Sequence, residues 1–347
     1  MTSTSNPITT TLLSETTTET ELFLDIGYLI KYPILMLSIF GLVTSIIHSY
    51  FLTRILKTYP LSICLFVISI SDLIIFFTRF IAETVTIVTY VDHRNCIGYV
   101  NRLDLVYRMI TEGFYFLGDY VGGWMVVVTC IVQIVDFKKV GKNVWNCKLS
   151  IIISILTICL NTLSIIIQYI SYYFLIKELP YSECDKTNLM ALYMEGNHNW
   201  VTSFVHASKM FVSDTNDAEM ILRIIFCFYM PWSIFKSKET QKKRNGKLIF
   251  WLLITNVVAF TLNMSFHASF LNFGTDWEYD DNYQEDVAIP QEVARLLVVI
   301  SALFRPFLTL ILCSEYQATV KSFFIVDAFV PRASIAHSDS SYISHRE

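Results

Sequence analysis

The sequence predicts an all-α membrane protein: a seven-helix bundle with its N-terminus outside and a short amphipathic helix after the seventh span. Three observations carry that reading. Of 347 residues, 54% are hydrophobic and only 16% charged, where a soluble domain carries roughly 25% charged residues. The apolar residues form near-continuous runs of about 20, the length a helix needs to cross a bilayer, rather than the alternating runs of about ten that build a membrane barrel. Basic residues collect on one side of those runs, which sets the orientation.

The runs cover 31–53, 61–84, 109–135, 149–176, 219–235, 247–271 and 294–313. Ahead of the first lies a polar, Thr-rich tail, 1–30, without the basic head and apolar core of a signal peptide. The third span has a charged start in Asp104, Arg108 and Glu112, and the fifth is the shortest, with Glu219, Arg223 and Pro231 inside it. After the first, third and fifth spans come "RILKTYP", "DFKKVGKNVWNCK" and "KSKETQKKRNGK", which hold twelve basic residues and two acidic ones, Asp136 and Glu239. The opposite side is acidic: Glu15, Glu19, Glu21 and Asp25 in the tail, and "DWEYDDNYQEDVAIPQE" before the last span. The bundle, 31–325, therefore ends in a cytoplasmic Ser-rich tail, 326–347, with Ser334, Ser338, Ser340, Ser341 and Ser344 as phosphorylation candidates. A multi-pass protein of the plasma membrane is expected, with the lipid bilayer as its first partner.

Several motifs bear a family likeness. The first span reads "FGLVTSIIHSYFLTR", the second contains "ISISDL", the third "WMVVVTCIVQ", and the last ends "RPFLTLILCSEYQATVKSFF". Together they resemble the rhodopsin-like G-protein-coupled receptors, most nearly the nematode serpentine class W group related to FMRFamide-type peptide receptors. Gly41, His48, Leu52, Thr53, Arg54, Asp72, Trp124 and Pro306 match the group's pattern; Ser45 replaces an Asn, and Thr309 replaces the Tyr of Asn-Pro-x-x-Tyr. The sixth span has no Cys-Trp-x-Pro. Gln133 stands where the family keeps the Arg that engages the G protein, so coupling to a heterotrimeric G protein is implied by the likeness and questioned by this position. The cytoplasmic residues facing that partner would be Gln133, Lys138, Lys139, Lys242, Lys243 and Arg244.

The likeness also implies a disulfide between Cys96 and Cys184, the two of eight cysteines that fall in outer loops. Arg305 replaces the family's seventh-span Asn, which faces the second-span aspartate across a small polar cavity often occupied by sodium. The replacement places a guanidinium beside Asp72, an ion pair standing in for sodium. An unpaired charge at bilayer depth costs at least ~2.5–3.5 kcal/mol, so a partner is required. The other reading has Arg305 reaching to the cytoplasmic rim.

Glu112 and Asp119 are seven residues apart and share a helix face, with Tyr115 and Phe116 between them. Arg79 lies seven residues beyond Asp72. In the family such faces look into the ligand cavity, so Arg79, Glu112, Tyr115, Phe116 and Asp119 are the candidate pocket. The alternative pairs Arg79 with Glu83 at i+4 and leaves Glu112 at the rim. The segment from Lys177 to Asn216 is long enough to fold as a lid. The acidic outer surface would steer a positively charged peptide or small chemical. After the last span, Ser314 and Gln317 have capping-box spacing, and Val320, Phe323 and Phe324 with Lys321 would face the membrane surface. His93, His198 and His206 lack metal-ligand spacing, and Asn263 of "NMS" lies within a span. No catalytic motif, cofactor loop or nucleic-acid patch is present, so neither an enzyme nor a nucleic-acid binder is expected. A channel or transporter subunit, or a receptor relative that no longer signals, are the alternatives to a receptor.

Overall fold

The structure, a computed structural model, describes residues 8–56, 59–92, 100–138, 145–173, 176–178, 189–192, 200–271 and 283–329. Their helices are α1 (Ile8–Ile55), α2 (Leu61–Asp92), α3 (Arg102–Lys138), α4 (Cys147–Tyr173), α5 (Trp200–Lys236), α6 (Thr240–Leu271), α7 (Tyr283–Leu312) and α8 (Ser314–Phe329). Long apolar segments able to cross a bilayer occur in α1 to α5 and in α7. The apolar run of α6 supplies fully buried Leu248, Ile249, Leu252 and Leu253 to the bundle. Neighbour packing closes a ring in chain order, α1 against α2 and α7, with α3 threaded through the middle against α2, α4, α5 and α6.

Lipid-facing and core-facing surfaces separate as the bilayer requires. On α4, Ile152, Ile155, Leu156, Leu160 and Leu163 are exposed, while Ser150, Ser154 and Thr157 turn inward. That inversion of the soluble pattern is expected where lipid is the solvent and small polar residues allow close helix approach. Asn146 caps α4 by accepting the Leu149 backbone N–H at 2.7 Å. The α1–α2 corner is tied by Ser62 Oγ, which donates to the Tyr59 carbonyl at 2.5 Å. The main core joins the cytoplasmic halves of the bundle through Leu52, Leu65, Met125, Val126, Met230, Leu252 and their neighbours.

Four features differ from the sequence reading. Residues 8–30 continue α1 as helix rather than forming a separate tail. Once a span is helical, each further residue gains a backbone bond without new nucleation. Second, α5 begins at Trp200, so residues 200–216 of the expected lid are helix. At 37 residues it is about 55 Å long, well beyond the ~30 Å hydrocarbon core, and its outer turns stand clear of the bilayer. Third, a small antiparallel sheet of order β1-β3-β2 joins β1 (Val100–Asn101), β2 (Ile176–Glu178) and β3 (Leu189–Leu192), with Val100 opposite Met190. It ties the segment before α3 to the one after α4. The helices alone make the membrane domain.

Fourth, no capping box forms at α8. The Gln317 N–H donates to the Cys313 carbonyl at 2.9 Å, and its side chain reaches back to the Ile311 carbonyl at 2.9 Å. Backbone bonds continue across Cys313, so α8 needs no cap of its own. Val320 packs on the core, and Phe323 sits edge-on to Phe51 at 5.5 Å between centroids, leaving Phe324 the most outward of the three.

Candidate functional site

Charged residues inside the bundle fall into two tiers. The inner tier is centred on Arg305 of α7, which is 3% exposed. Its Nη1 donates to Asp72 Oδ1 on α2, and its Nη2 donates to Asn256 Oδ1 on α6 at 2.8 Å. Asn256 donates in turn to the Leu252 carbonyl at 2.6 Å, and Thr309 Oγ1 donates to the Arg305 carbonyl at 3.0 Å. The guanidinium thus bridges three helices. A methyl group built on Gly122 of α3 would come within 3.3 Å of Nη1, so the absence of a side chain there leaves room for the charge. These residues do not suit a sodium ion, because the guanidinium already fills the cation's place at Asp72.

Beside this lies a second buried pair on α5, where Arg223 Nη2 donates to Glu219 Oε1 at 2.5 Å. Both groups press on Gly123 of α3, where any side chain would collide with them. Asp119 lines a small cavity with Arg223, Asn256, Ala259, Val298, Ser301 and Arg305. About 10 Å³ of it admits a water-sized sphere, room for roughly one water molecule.

The outer tier holds three cations and three carboxylates from four helices. Lys31 of α1 meets Glu292 of α7 at 2.9 Å and Glu83 of α2 at 3.5 Å. Arg79 meets Glu83 at 3.8 Å and Glu112 of α3 at 3.6 Å. Arg295 of α7 completes the chain, 2.9 Å from Glu112 and 2.7 Å from Glu292. The Arg79 guanidinium also lies over the Tyr115 ring, 3.8 Å from its centroid, a cation–π contact strengthened by burial. Between the tiers sits an apolar layer of Ile75, Tyr115 and Val298, with Phe116 packed against it.

The candidate pocket residues therefore divide. Arg79, Glu112 and Tyr115 meet in the outer tier, Phe116 stacks on Tyr120 at 5.8 Å beside the dividing layer, and Asp119 lies one level deeper. Arg79 meets Glu83, the i+4 partner of the alternative reading, and also Glu112, which that reading left at the rim. Lys31, Glu292 and Arg295 were missed, as were Arg223, Glu219 and Asn256 as parts of a site. For the five charged residues the available signal was charge: every ionisable side chain inside a span needs a partner, and each lies in a span or at its edge; Asn256, a neutral amide, carried no such signal.

On the cytoplasmic side, Gln133 is fully buried and accepts a hydrogen bond from Trp145 Nε1 at 3.1 Å. Lys242 does not face the cytoplasm. It is 4% exposed, and its Nζ donates to the Asp136 carbonyl at 3.0 Å, 3.9 Å from the Asp136 carboxylate and 3.2 Å from Glu239. The Asp136 and Glu239 carboxylates hold the buried head group. Arg244 pairs with Glu315 of α8 at 3.0 Å, and Tyr59 OH donates to Asn245 Oδ1 at 2.8 Å. Burial pushes the Tyr59 phenol well above its ordinary pKa, so it stays a neutral donor. Lys138 is exposed and Lys243 half-buried, whereas Lys139 lies outside the described residues. So do Cys96 and Cys184, the acidic cluster 276–281 and the Ser-rich tail 330–347.

Among the described residues no group of His, Cys, Asp and Glu could hold a metal ion. No curated protein matches the chain. The sequence pattern of the serpentine type 7TM GPCR chemoreceptor family Srw matches residues 32–327, the whole helical bundle, and the chain belongs to that family of multi-pass membrane receptors.

Proposed function

We propose that the protein is a plasma-membrane receptor that binds an extracellular peptide or small chemical at the outer tier and signals to heterotrimeric G proteins. The observation that carries this reading is the contrast between the two ends of the bundle. The outer end presents a partly exposed ionic site, while the inner end of α6 is held by a few polar ties to α3, to the α1–α2 corner and to α8. The ties of Arg244 and Asn245 lie at partly exposed positions where water can replace them, so α6 can move when the outer site is reorganised. Arg305, bonded to both α2 and α6, supplies a physical link between those ends. In this reading the Cys96–Cys184 bond fixes the outer loops, supported by the sheet that pairs the segments after each cysteine.

A second reading, a receptor relative that binds ligand without coupling, draws on Gln133, which is buried against Trp145. The test is nucleotide exchange. Purified receptor in lipid vesicles, supplied with each class of G-protein trimer and a library of amidated peptides and water-soluble volatiles, should accelerate GTPγS binding by at least one trimer. Ligand binding with no exchange on any trimer selects the second reading.

A further inference from the structure

Among the described residues the outer tier is electrically neutral and internally paired, and its Glu112–Arg295 link is the one substantially open to solvent. The two side chains are 31% and 25% exposed, against 2% to 16% for Arg79, Glu83, Glu292 and Lys31. The link is also the direct ionic contact between α3 and α7 among the described residues. Beneath it, Arg79 Nε and Glu292 Oε2 are buried without a hydrogen-bond partner, while Glu83 Oε2 has the 3.5 Å ion-pair contact with Lys31 Nζ. The tier therefore retains one donor and one acceptor on charged groups, capacity of both signs.

We infer that this site takes a small zwitterion whose ammonium and carboxylate are borne on the same carbon atom, as in an α-amino acid. The inference rests on the receptor reading above and names the chemistry of its ligand. Charge balance is the first reason. A lone organic cation placed on Glu112 would leave the tier with one excess positive charge at the membrane edge, and a lone anion on Arg295 would leave one excess negative charge. Uncompensated charge in such surroundings is costly. A zwitterion exchanges one neutral arrangement for another: its ammonium donates to Glu112 while its carboxylate accepts from Arg295, the bidentate geometry guanidinium favours. Spacing is the second reason. The two protein groups start in contact, at 2.9 Å, so the ligand charges that replace them must also be neighbours. The widely separated termini of a long peptide do not meet that condition. Opening the link would free α3 from α7 on the outer side, the mechanical event the receptor needs.

The test uses matched triads that share one side chain: an amino acid, its decarboxylated amine and its N-acetylated acid, for instance phenylalanine, phenethylamine and N-acetylphenylalanine. Triads for the common amino acids would be added to purified full-length receptor in detergent without G protein, and thermal unfolding recorded. At least one amino acid should raise the melting temperature by several degrees, with its amine and N-acetyl partners producing little or no shift. Glu112→Gln should reduce that amino acid's affinity about tenfold or more and newly admit the N-acetyl acid, whose single negative charge balances the tier, and Arg295→Gln should do the reverse, admitting the amine. The wild-type triads need no variant, so a misfolded variant leaves the question decided. Equal stabilisation by an amine or an N-acetyl acid, or no stabilisation by any amino acid, overturns the inference. Since no G protein is present, such a result leaves the nucleotide-exchange test of the receptor reading standing.

Discussion

Gly118, Gly122 and Gly123 of α3 face different neighbours, and the neighbours decide what a methyl group would do at each. At Gly118 a Cβ would lie 2.8 Å from the Ser71 carbonyl oxygen and 2.9 Å from Ile75 Cγ1, so α2 itself must retreat. At Gly122 the nearest atom is the tip of the Arg305 guanidinium at 3.3 Å, which can give by a few tenths of an ångström. Gly118→Ala should therefore cost about 1–3 kcal/mol of stability, the usual range for overpacking. Gly122→Ala should cost distinctly less. Thermal unfolding of the two purified variants beside wild type reads the difference, and equal losses would mean that the α2–α3 contact is looser than described.

At the scale of elements, the inner end of α6 joins the apolar packing of Leu248, Ile249, Leu252 and Leu253 to polar ties in the helical turn before it. Lys242 is the most buried of these ties and is shared between Asp136 on α3 and Glu239 before α6. Lys242→Ala removes the charge that Asp136 and Glu239 share, so the inner ends of α3 and α6 should spread. Spin labels at exposed Lys138 and Lys238 would report a longer mean separation in the variant without ligand. An unchanged distance distribution would show that packing of Phe137 against Gly246, not Lys242, holds the helix. The sequence placed Lys242 in a basic loop facing a partner, which composition alone favours. The inward turn was not legible because it depends on α3 lying beside α6, a contact between residues more than a hundred positions apart. Likewise α5 reads as a 17-residue span by hydropathy, yet its helix runs 37 residues. Its outer extension leaves the apolar run, where the periodicity of lipid-facing residues no longer marks the helix. The helices of the apolar runs and α8 were legible, because twenty consecutive apolar residues need no tertiary information.

For the whole molecule, the organising feature is that, among the described residues, each of the cations Lys31, Arg79, Arg223, Arg295 and Arg305 inside the bundle meets a carboxylate. The outer tier is neutral, while the inner tier sets Arg223 and Arg305 among Asp72, Asp119 and Glu219. The Asp72–Arg305 contact was legible in sequence because two expensive charges in spans two and seven each need a partner and the family likeness brings those positions together. Arg79 with Glu83 and the shared face of Glu112 and Asp119 were legible from spacing along one helix, whereas Lys31, Glu292 and Arg295 were not, since they join through helices whose rotations the sequence does not specify. A double-mutant cycle on Asp72 and Arg305 tests this account most directly, with thermal or denaturant unfolding of the purified receptor as the readout. Asp72→Asn and Arg305→Asn should each lose about 3–5 kcal/mol, because each leaves a buried charge without its partner. The double Asn variant should recover much of that loss, giving a coupling energy of at least about 1 kcal/mol. Additive losses, with coupling near zero, would contradict the claim that Arg305 is the built-in counter-charge of Asp72.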